Sequence, residues 1–397
     1  MKKKVLAALM SVAMAATLLA GCGSAKEEAA AEPAAAPAAE ETAEAPAEET
    51  AEAPAEEAAA DTAATGNDYK FEIIVKSYQS SYWQAAVTGV NQAAEELGVT
   101  VSCTGPNSES DIADQVNMLN SAINNAPNGI GLAACDQDSC LDALQVALDK
   151  GIPVVCFDSG IPKAPEGSVY STIATDNYGA GATAADNLYA ALKDKIANAT
   201  APVRIGEVNQ EATSESITSR GLGFIDKFIE LATADGKVVA VTGNDYYVNN
   251  AKGAGAEADA DVIIEVAVPA QTTVELCATE ASVILNKEDT IGVFGSNQVA
   301  AEGILTANGN LSVLGSDAAA GDVLAAGFDA GSIIKGAVKD GTMFGAVTQS
   351  PLAMGIKTVE TLTAIANGET VSDVPTEGYW YDSTNMEDAS IAPNLYD

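Results

Sequence analysis

An α/β fold built on parallel sheets is what the sequence predicts. From residue 71 onward, apolar runs of five to seven residues alternate with longer segments whose apolar positions recur every three or four residues. The runs are continuous rather than alternating, the pattern of strands buried on both faces. The segments between them are long enough to serve as crossover helices. Eleven such runs are too many for one comfortable open sheet, so an eight-unit barrel and two doubly wound lobes both fit the pattern.

The elements follow in order. Residues 71–76 (FEIIVK) form the first strand, and 83–97 form an amphipathic helix that Gly98 stops. Strands at 99–103, 129–134 and 153–157 are separated by helices at 111–124 and 140–150. A fifth strand at 169–174 leads into a helix at 178–197. The second half continues with strand 203–208, helix 218–231, strands 238–242 and 262–268, helix 274–286 and strand 290–294. Helix 300–308, strand 323–328, helix 332–340, strand 344–348 and helix 352–367 complete the pattern. The tail 383–397 reads as loosely ordered or packed along the second half.

The N-terminus is an address. Lys2-Lys3-Lys4 precedes an apolar run, 5–20, broken only by Ser11 and Thr17. A basic segment and a short apolar one make a secretory signal, too short for a comfortable membrane span. It ends in Leu19-Ala20-Gly21-Cys22, which resembles the bacterial lipoprotein signal, whose Cys is diacylated and becomes the first residue of the mature chain. The expectation is a signal peptide at 1–21 and a lipid at Cys22 that anchors the protein to the cell membrane, outside the cytoplasm. Residues 23–66 are almost all Ala, Glu, Pro, Thr and Gly, with AEAPAEET at 43–50 nearly repeated at 51–58. With no apolar face to bury, residues 22–66 read as the lipidated Cys and a disordered acidic tether, spanning roughly 35 Å as a coil.

Charge and composition exclude several activities. Against 19 Lys and Arg stand 56 Asp and Glu, a net charge of -37, which argues against a nucleic-acid partner. There is no histidine, which removes Ser-His-Asp and Cys-His nucleophiles and His-ligated zinc. With Cys22 set aside, Cys103, Cys135, Cys140, Cys156 and Cys277 remain, without a C-x-x-C pair. They read as buried thiols, with a bridge between Cys135 and Cys140 left open. Gly179-Ala180-Gly181-Ala182-Thr183-Ala184 matches G-x-G-x-x-A formally, but small residues packing a helix on a neighbour explain it as well. Gly236-Lys237 is followed by Val, so no phosphate-binding loop is present. Asp136 and Asp138 lack further spaced oxygens for calcium. No catalytic carboxylate pair stands out, and neither an enzyme, a metal nor a cofactor is expected.

Polar residues mark a cleft instead. Ligands of open α/β sheets bind beyond the carboxyl ends of the strands. Four predicted strands run into Asp136, Asp158, Asn297 and Asp329, and the first runs into a segment that carries Tyr82 and Trp83. Carboxylates and amides pair with hydroxyls, and aromatic faces cover a sugar's C–H surface. Taken singly, each Asp or Asn serves equally well as a helix N-cap. The set with the aromatics points to a binding cleft. Lys76 ends the first strand; it reads either as a solvent-facing strand end or, by resemblance to binding proteins for deoxysugars or a furanosyl autoinducer, as part of the cleft.

Over residues 68–382 these motifs resemble the type 1 periplasmic binding proteins, sugar-binding subunits of ABC importers, and the ribose-binding group in particular. Gly151-Ile152-Pro153-Val154 through Asp158 resembles that group's GIPV-x-x-x-D, and Arg220-Gly221-Leu222-Gly223-Phe224 its R-G-x-G-F. Asp329 and Gln349 lie 20 residues apart, as there, and Tyr82-Trp83 stand where that group has two Phe. The resemblance implies two flavodoxin-like doubly wound lobes joined by a three-strand hinge, 67–175 plus 350–378 and 176–349 plus 379–397, that close over a monosaccharide. It implies that Tyr82 and Trp83 stack on the ring, Asp158 accepts hydroxyl protons and Arg220 donates from the second lobe. Asn297 and Asp329 would clamp hydroxyls, and Gln349 would reach the ligand from the hinge. The implied partners are an ABC permease and its ATPase, with the binding protein a monomer; the alternative is a tethered sugar or autoinducer receptor that signals to a chemoreceptor or sensor kinase. Ser159 and Gln298 replace that group's Arg and Asp, and no second-lobe aromatic stands near 271–273. The resemblance therefore implies a sugar without fixing which one.

Overall fold

The computed structural model describes residues 68–396. The expected signal peptide, Cys22 and the tether lie outside the described residues. The chain begins with β1 (Lys70–Ile74), α1 (Ser81–Leu97), β2 (Thr100–Thr104), α2 (Ile112–Asn124), β3 (Gly129–Leu132), α3 (Leu141–Asp149), β4 (Val154–Phe157) and β5 (Val169–Thr175). It continues through α4 (Asn177–Ala197), β6 (Val203–Val208), α5 (Glu215–Ala234), β7 (Val239–Gly243), α6 (Asp245–Asn250), β8 (Val262–Ala267) and α7 (Val274–Leu285). Then come β9 (Thr290–Gly295), α8 (Gln298–Leu311), β10 (Leu314–Gly315), β11 (Val323–Phe328), α9 (Ser332–Asp340) and β12 (Gly345–Thr348). Helix α10 (Pro351–Ala366) and strands β13 (Val374–Thr376) and β14 (Tyr379–Tyr381) follow.

The strands form two sheets, which rules out the eight-unit barrel. One has the order β13-β5-β4-β3-β1-β2; the other runs β14-β12-β11-β9-β6-β8-β7, with β10 beside β11. Its 2-1-3-4-5 core order makes the first sheet flavodoxin-like. Pairing is parallel except where β14 lies antiparallel on β12. Strands such as β9 (TIGVFG) and β11 (VLAAGF) are buried at every residue, as their unbroken apolar runs require. Each sheet carries an apolar cluster on both faces. The chain crosses between the sheets after β5, after β12 and between β13 and β14.

Local signals set the helix ends. Ser80 caps α1 by accepting from the Trp83 N–H, and Gly98 ends it in the left-handed conformation. Asp176 caps α4 and Ser350 caps α10, with Pro351 in its first turn. Two helix pairs pack backbone to backbone. A Cβ on Gly89 would lie 2.1 Å from the Leu352 carbonyl, and one on Gly355 2.1 Å from that of Ala86, where α1 meets α10. A Cβ on Gly181 would lie 2.0 Å from the Arg220 carbonyl, and one on Gly223 2.1 Å from that of Tyr178, where α4 meets α5. The formal dinucleotide motif is thus a helix contact.

The structure adds elements that periodicity did not reveal. β10, β13 and β14 are two or three residues long, too short to show a period, and Pro375 masks β13. Helix α6 (DYYVNN) has only six residues. The tail is ordered and spans both lobes: Thr348 donates to the Asn394 carbonyl at 2.7 Å, while the Tyr396 ring lies 5.8 Å from that of Tyr82. Cys135 and Cys140 are unpaired; they, Cys156 and Cys277 are buried, and Cys103 is half-buried.

Candidate functional site

Asp158 and Asp329 each stand one residue beyond a strand, β4 and β11, with φ of 63° and 74°. This left-handed conformation is costly for a residue with a Cβ and is best tolerated by Asn and Asp. Each N–H donates to the next strand, to Ile173 at 2.8 Å and to Val347 at 2.7 Å. The turn leaves both carboxylates at the carboxyl ends of their sheets, on a small cavity of about 30 Å³ between the lobes.

All seven residues singled out in the sequence line this cavity. Tyr82, Trp83 and Asp158 come from the first lobe, Arg220, Asn297 and Asp329 from the second, and Gln349 from the second hinge crossing. Lys76, Glu109, Gln210, Ser216 and Gln298 line it as well. Lys76 corrects the expectation of a solvent-facing strand end. It is 2% exposed and pairs with Asp158 at 3.0 Å. It also donates to Ser216 across the cleft at 3.1 Å. Burial opposes its charge, but Asp158, Glu109 and Glu211 outweigh that and hold the ammonium above the usual lysine value.

Hydrogen bonds fix the remaining groups. The Tyr82 hydroxyl donates to Asp158 at 2.5 Å, so this residue offers a polar end that a Phe lacks. Its ring meets Trp83 edge-on, at 85° and 4.9 Å between centroids. The Trp83 indole N–H donates to Glu109 at 2.8 Å. Gln210 donates to the other oxygen of Glu109 at 2.7 Å, and Asn297 donates to Gln210 at 2.6 Å. Asn297 also caps α8 through Ala300 N–H, so cap and cleft residue are one. Asp329 accepts from Gln298 N–H at 3.0 Å and from Gln349 at 2.8 Å. Gln349 accepts from Thr175, which meets Thr376, so the three crossings are tied together. Burial raises Asp329 above the usual carboxylate range, against the pull of Arg220 and these two donors. Burial likewise raises Glu109, with Lys76, Trp83 and Gln210 opposing.

Arg220 is 2% exposed. It donates to the Ser296 carbonyl and to Asn177, each at 2.7 Å, and lies 3.5 Å over the Phe328 ring. Its Nε is buried without a hydrogen-bond partner among the described residues. The site therefore presents carboxylate acceptors from both lobes, amide and guanidinium donors, and two aromatic rings. Such a set recognises a compact molecule with several hydroxyls.

The sequence profile described as "Periplasmic binding protein domain" matches residues 71–370. The chain belongs to the periplasmic binding protein family. A structure from Brachyspira murdochii, described as an ABC transporter, LacI family transcriptional regulator, is 32% identical to this binding protein. That match covers 83% of this chain and 99% of the other, with a TM-score of 0.68. An ABC transporter solute-binding protein from Agrobacterium vitis with bound D-fucose is 27% identical, covering 82% and 100%, with a TM-score of 0.66. The D-apiose import binding protein of Actinobacillus succinogenes is 28% identical over 120 residues, 30% of this chain and 37% of that relative. The family's description is one of binding, and the solute-binding relatives serve ABC transporters.

Some cleft residues of this binding protein escaped sequence reasoning. Gln210 lies two residues beyond β6, as Asn297 does beyond β9, so the strand-end rule would have found it. Glu109 lies in the loop before α2 and carried no signal. Asp136 follows the rule and yet only shapes a turn, accepting from the Asp138 and Ser139 N–H groups. Where a second-lobe aromatic is missing, Thr272 instead meets Ser108 and Ser110 across the cleft, at 3.2 and 2.9 Å.

Proposed function

We propose that this protein is an extracytoplasmic solute-binding lipoprotein that captures a monosaccharide between its lobes and delivers it to an ABC permease. The observation that carries the reading is the meeting of Asp158 and Asp329, from opposite lobes, on one cavity with Tyr82, Trp83 and Arg220. Two carboxylates and a guanidinium with an unused N–H suit hydroxyls on opposite sides of a ring. The cations Lys76 and Arg220 face the carboxyl groups of Asp158, Asp329 and Glu109, so the cavity is not net positive and favours a neutral ligand over a phosphate or carboxylate. The D-fucose and D-apiose relatives support a small sugar. Tyr82, Trp83, Asp158, Arg220, Asn297, Asp329 and Gln349 are the proposed ligand contacts, with Lys76 added. The signal sequence and Cys22 supply the lipid anchor of the same reading.

The test is an aldose panel that includes D-fucose and D-apiose, read by thermal shift and calorimetry. A sugar at 100 times its dissociation constant should add about 2.7 kcal/mol of stability. Response to peptides, amino acids or metals alone would overturn the proposal.

A further inference from the structure

We propose that Glu109 is the closure latch of the cleft, a positioning residue that fixes Trp83 and locks the second lobe to the first; the proposal rests on the cleft being the ligand site. Glu109 belongs to the first lobe, in the loop between β2 and α2. One carboxylate oxygen takes the Trp83 indole N–H at 2.8 Å. The other takes the Gln210 side-chain amide of the second lobe at 2.7 Å. Gln210 in turn accepts from Asn297 at 2.6 Å. One carboxylate thus joins the aromatic wall of one lobe to the hydroxyl-clamping amide of the other.

The chemistry favours this role over simple contact with ligand. A carboxylate bonded to two N–H donors gains charge-assisted strength from both, and each oxygen keeps one fixed partner. The bond to Trp83 lies within the first lobe and survives opening. The bond to Gln210 spans the cleft and exists only when the lobes are closed. Glu109 lines both the cavity and a wider serine- and threonine-lined opening between the lobes, the place where a latch seals the ligand from solvent.

A double-mutant cycle on the full chain tests this, with D-fucose and D-apiose as probes. Glu109→Ala and Gln210→Ala should each weaken binding about 10- to 100-fold, mainly through faster release. The double variant should lose clearly less than the sum of the two single losses, because the bond between Glu109 and Gln210 is removed by each. Melting temperatures without sugar should stay near wild type. Glu109→Gln accepts through only one oxygen and should fall between wild type and Glu109→Ala. A second readout needs no sugar: nitroxide labels on Val146→Cys and Val283→Cys, exposed on α3 and α7, report lobe separation, with the unsubstituted chain as labelling control. Glu109→Ala and Gln210→Ala should shift it toward wider distances by the same amount, and their combination no further. If wild type binds neither sugar, the sugar reading loses its support and the label distances alone decide the latch. Additive losses of affinity, or label distances that neither variant moves, overturn it.

Discussion

Asp158 and Asp329 occupy equivalent turns in the two lobes: each follows an inner strand in the left-handed conformation, and each donates its N–H to the neighbouring strand. The shared strain of about 1 kcal/mol or more is held by packing on both sides and places a carboxylate on the cavity. Asn adopts this backbone at less cost than Ala. Asp329→Asn should therefore keep the sugar-free melting temperature while weakening sugar binding about 10- to 100-fold. Asp329→Ala should lose as much affinity and also about 1 kcal/mol of stability. Calorimetry with parallel thermal melts separates the two effects; equal stability of Asn and Ala variants would count against the strain.

Arg220 is tied to structure as well as facing the cavity. Its bonds to Ser296 and Asn177 and its place over Phe328 mean that Arg220→Ala should abolish measurable binding and also destabilise the fold by about 2–4 kcal/mol. Arg220→Lys should recover little, since a single ammonium cannot reproduce the planar fork. Denaturant unfolding without sugar is the measurement.

Glu207 is fully buried, and its Oε2 has no hydrogen-bond partner among the described residues. Burial raises its carboxyl well above the ordinary range, with the Asn209 amide pulling the other way. The folded state then holds a proton that the unfolded chain releases. That contribution to stability is full below the ordinary carboxylate range and is lost as pH rises toward the raised value. Glu207→Gln keeps the shape and removes the titration. Melting curves from pH 4.5 to 8 should show the variant gaining on wild type as pH rises, by about 1 kcal/mol or more. A difference independent of pH would show that the group keeps its charge.

Cys22 should carry acyl chains as the first residue of the mature protein. Mass spectrometry of the membrane fraction checks this, and Cys22→Ala should release the protein from the membrane. A mature N-terminus elsewhere, with the protein free in the medium, would refute the anchor.

Much of the architecture was legible because buried parallel strands write themselves as unbroken apolar runs, as β9 and β11 do. The short edge strands β13 and β14 were not legible, since three residues hold no period. In the site, residues fixed at strand ends were readable: Asp158, Asn297 and Asp329 all sit where a strand stops. Lys76 sits there too, but its burial depends on a partner far along the chain, and sequence alone favoured solvent. Glu109 was hidden for a related reason. Its importance comes from a loop brought against Trp83 and, from the other lobe, Gln210, a meeting that no local pattern announces. The stability role of Arg220 was hidden in the same way, because Ser296 and Phe328 lie far from it in sequence.

The glycine contacts that seat α1 on α10 and α4 on α5 have a mechanical side. Helix α10 leaves the hinge beside Gln349 and grips the helix that opens with Tyr82 and Trp83; α4 leaves the hinge beside Thr175 and grips the helix that carries Arg220. At these glycines main chain presses on main chain, which leaves little room there to absorb a small rotation. Each pair behaves as a stiff lever whose short arm is a crossing strand and whose long arm is a wall of the cavity. On the proposed reading, a poorly fitting sugar would hold the lobe ajar more than it would be accommodated by local give, so that fit at the scale of one hydroxyl would be converted into an angle that the rest of the molecule displays.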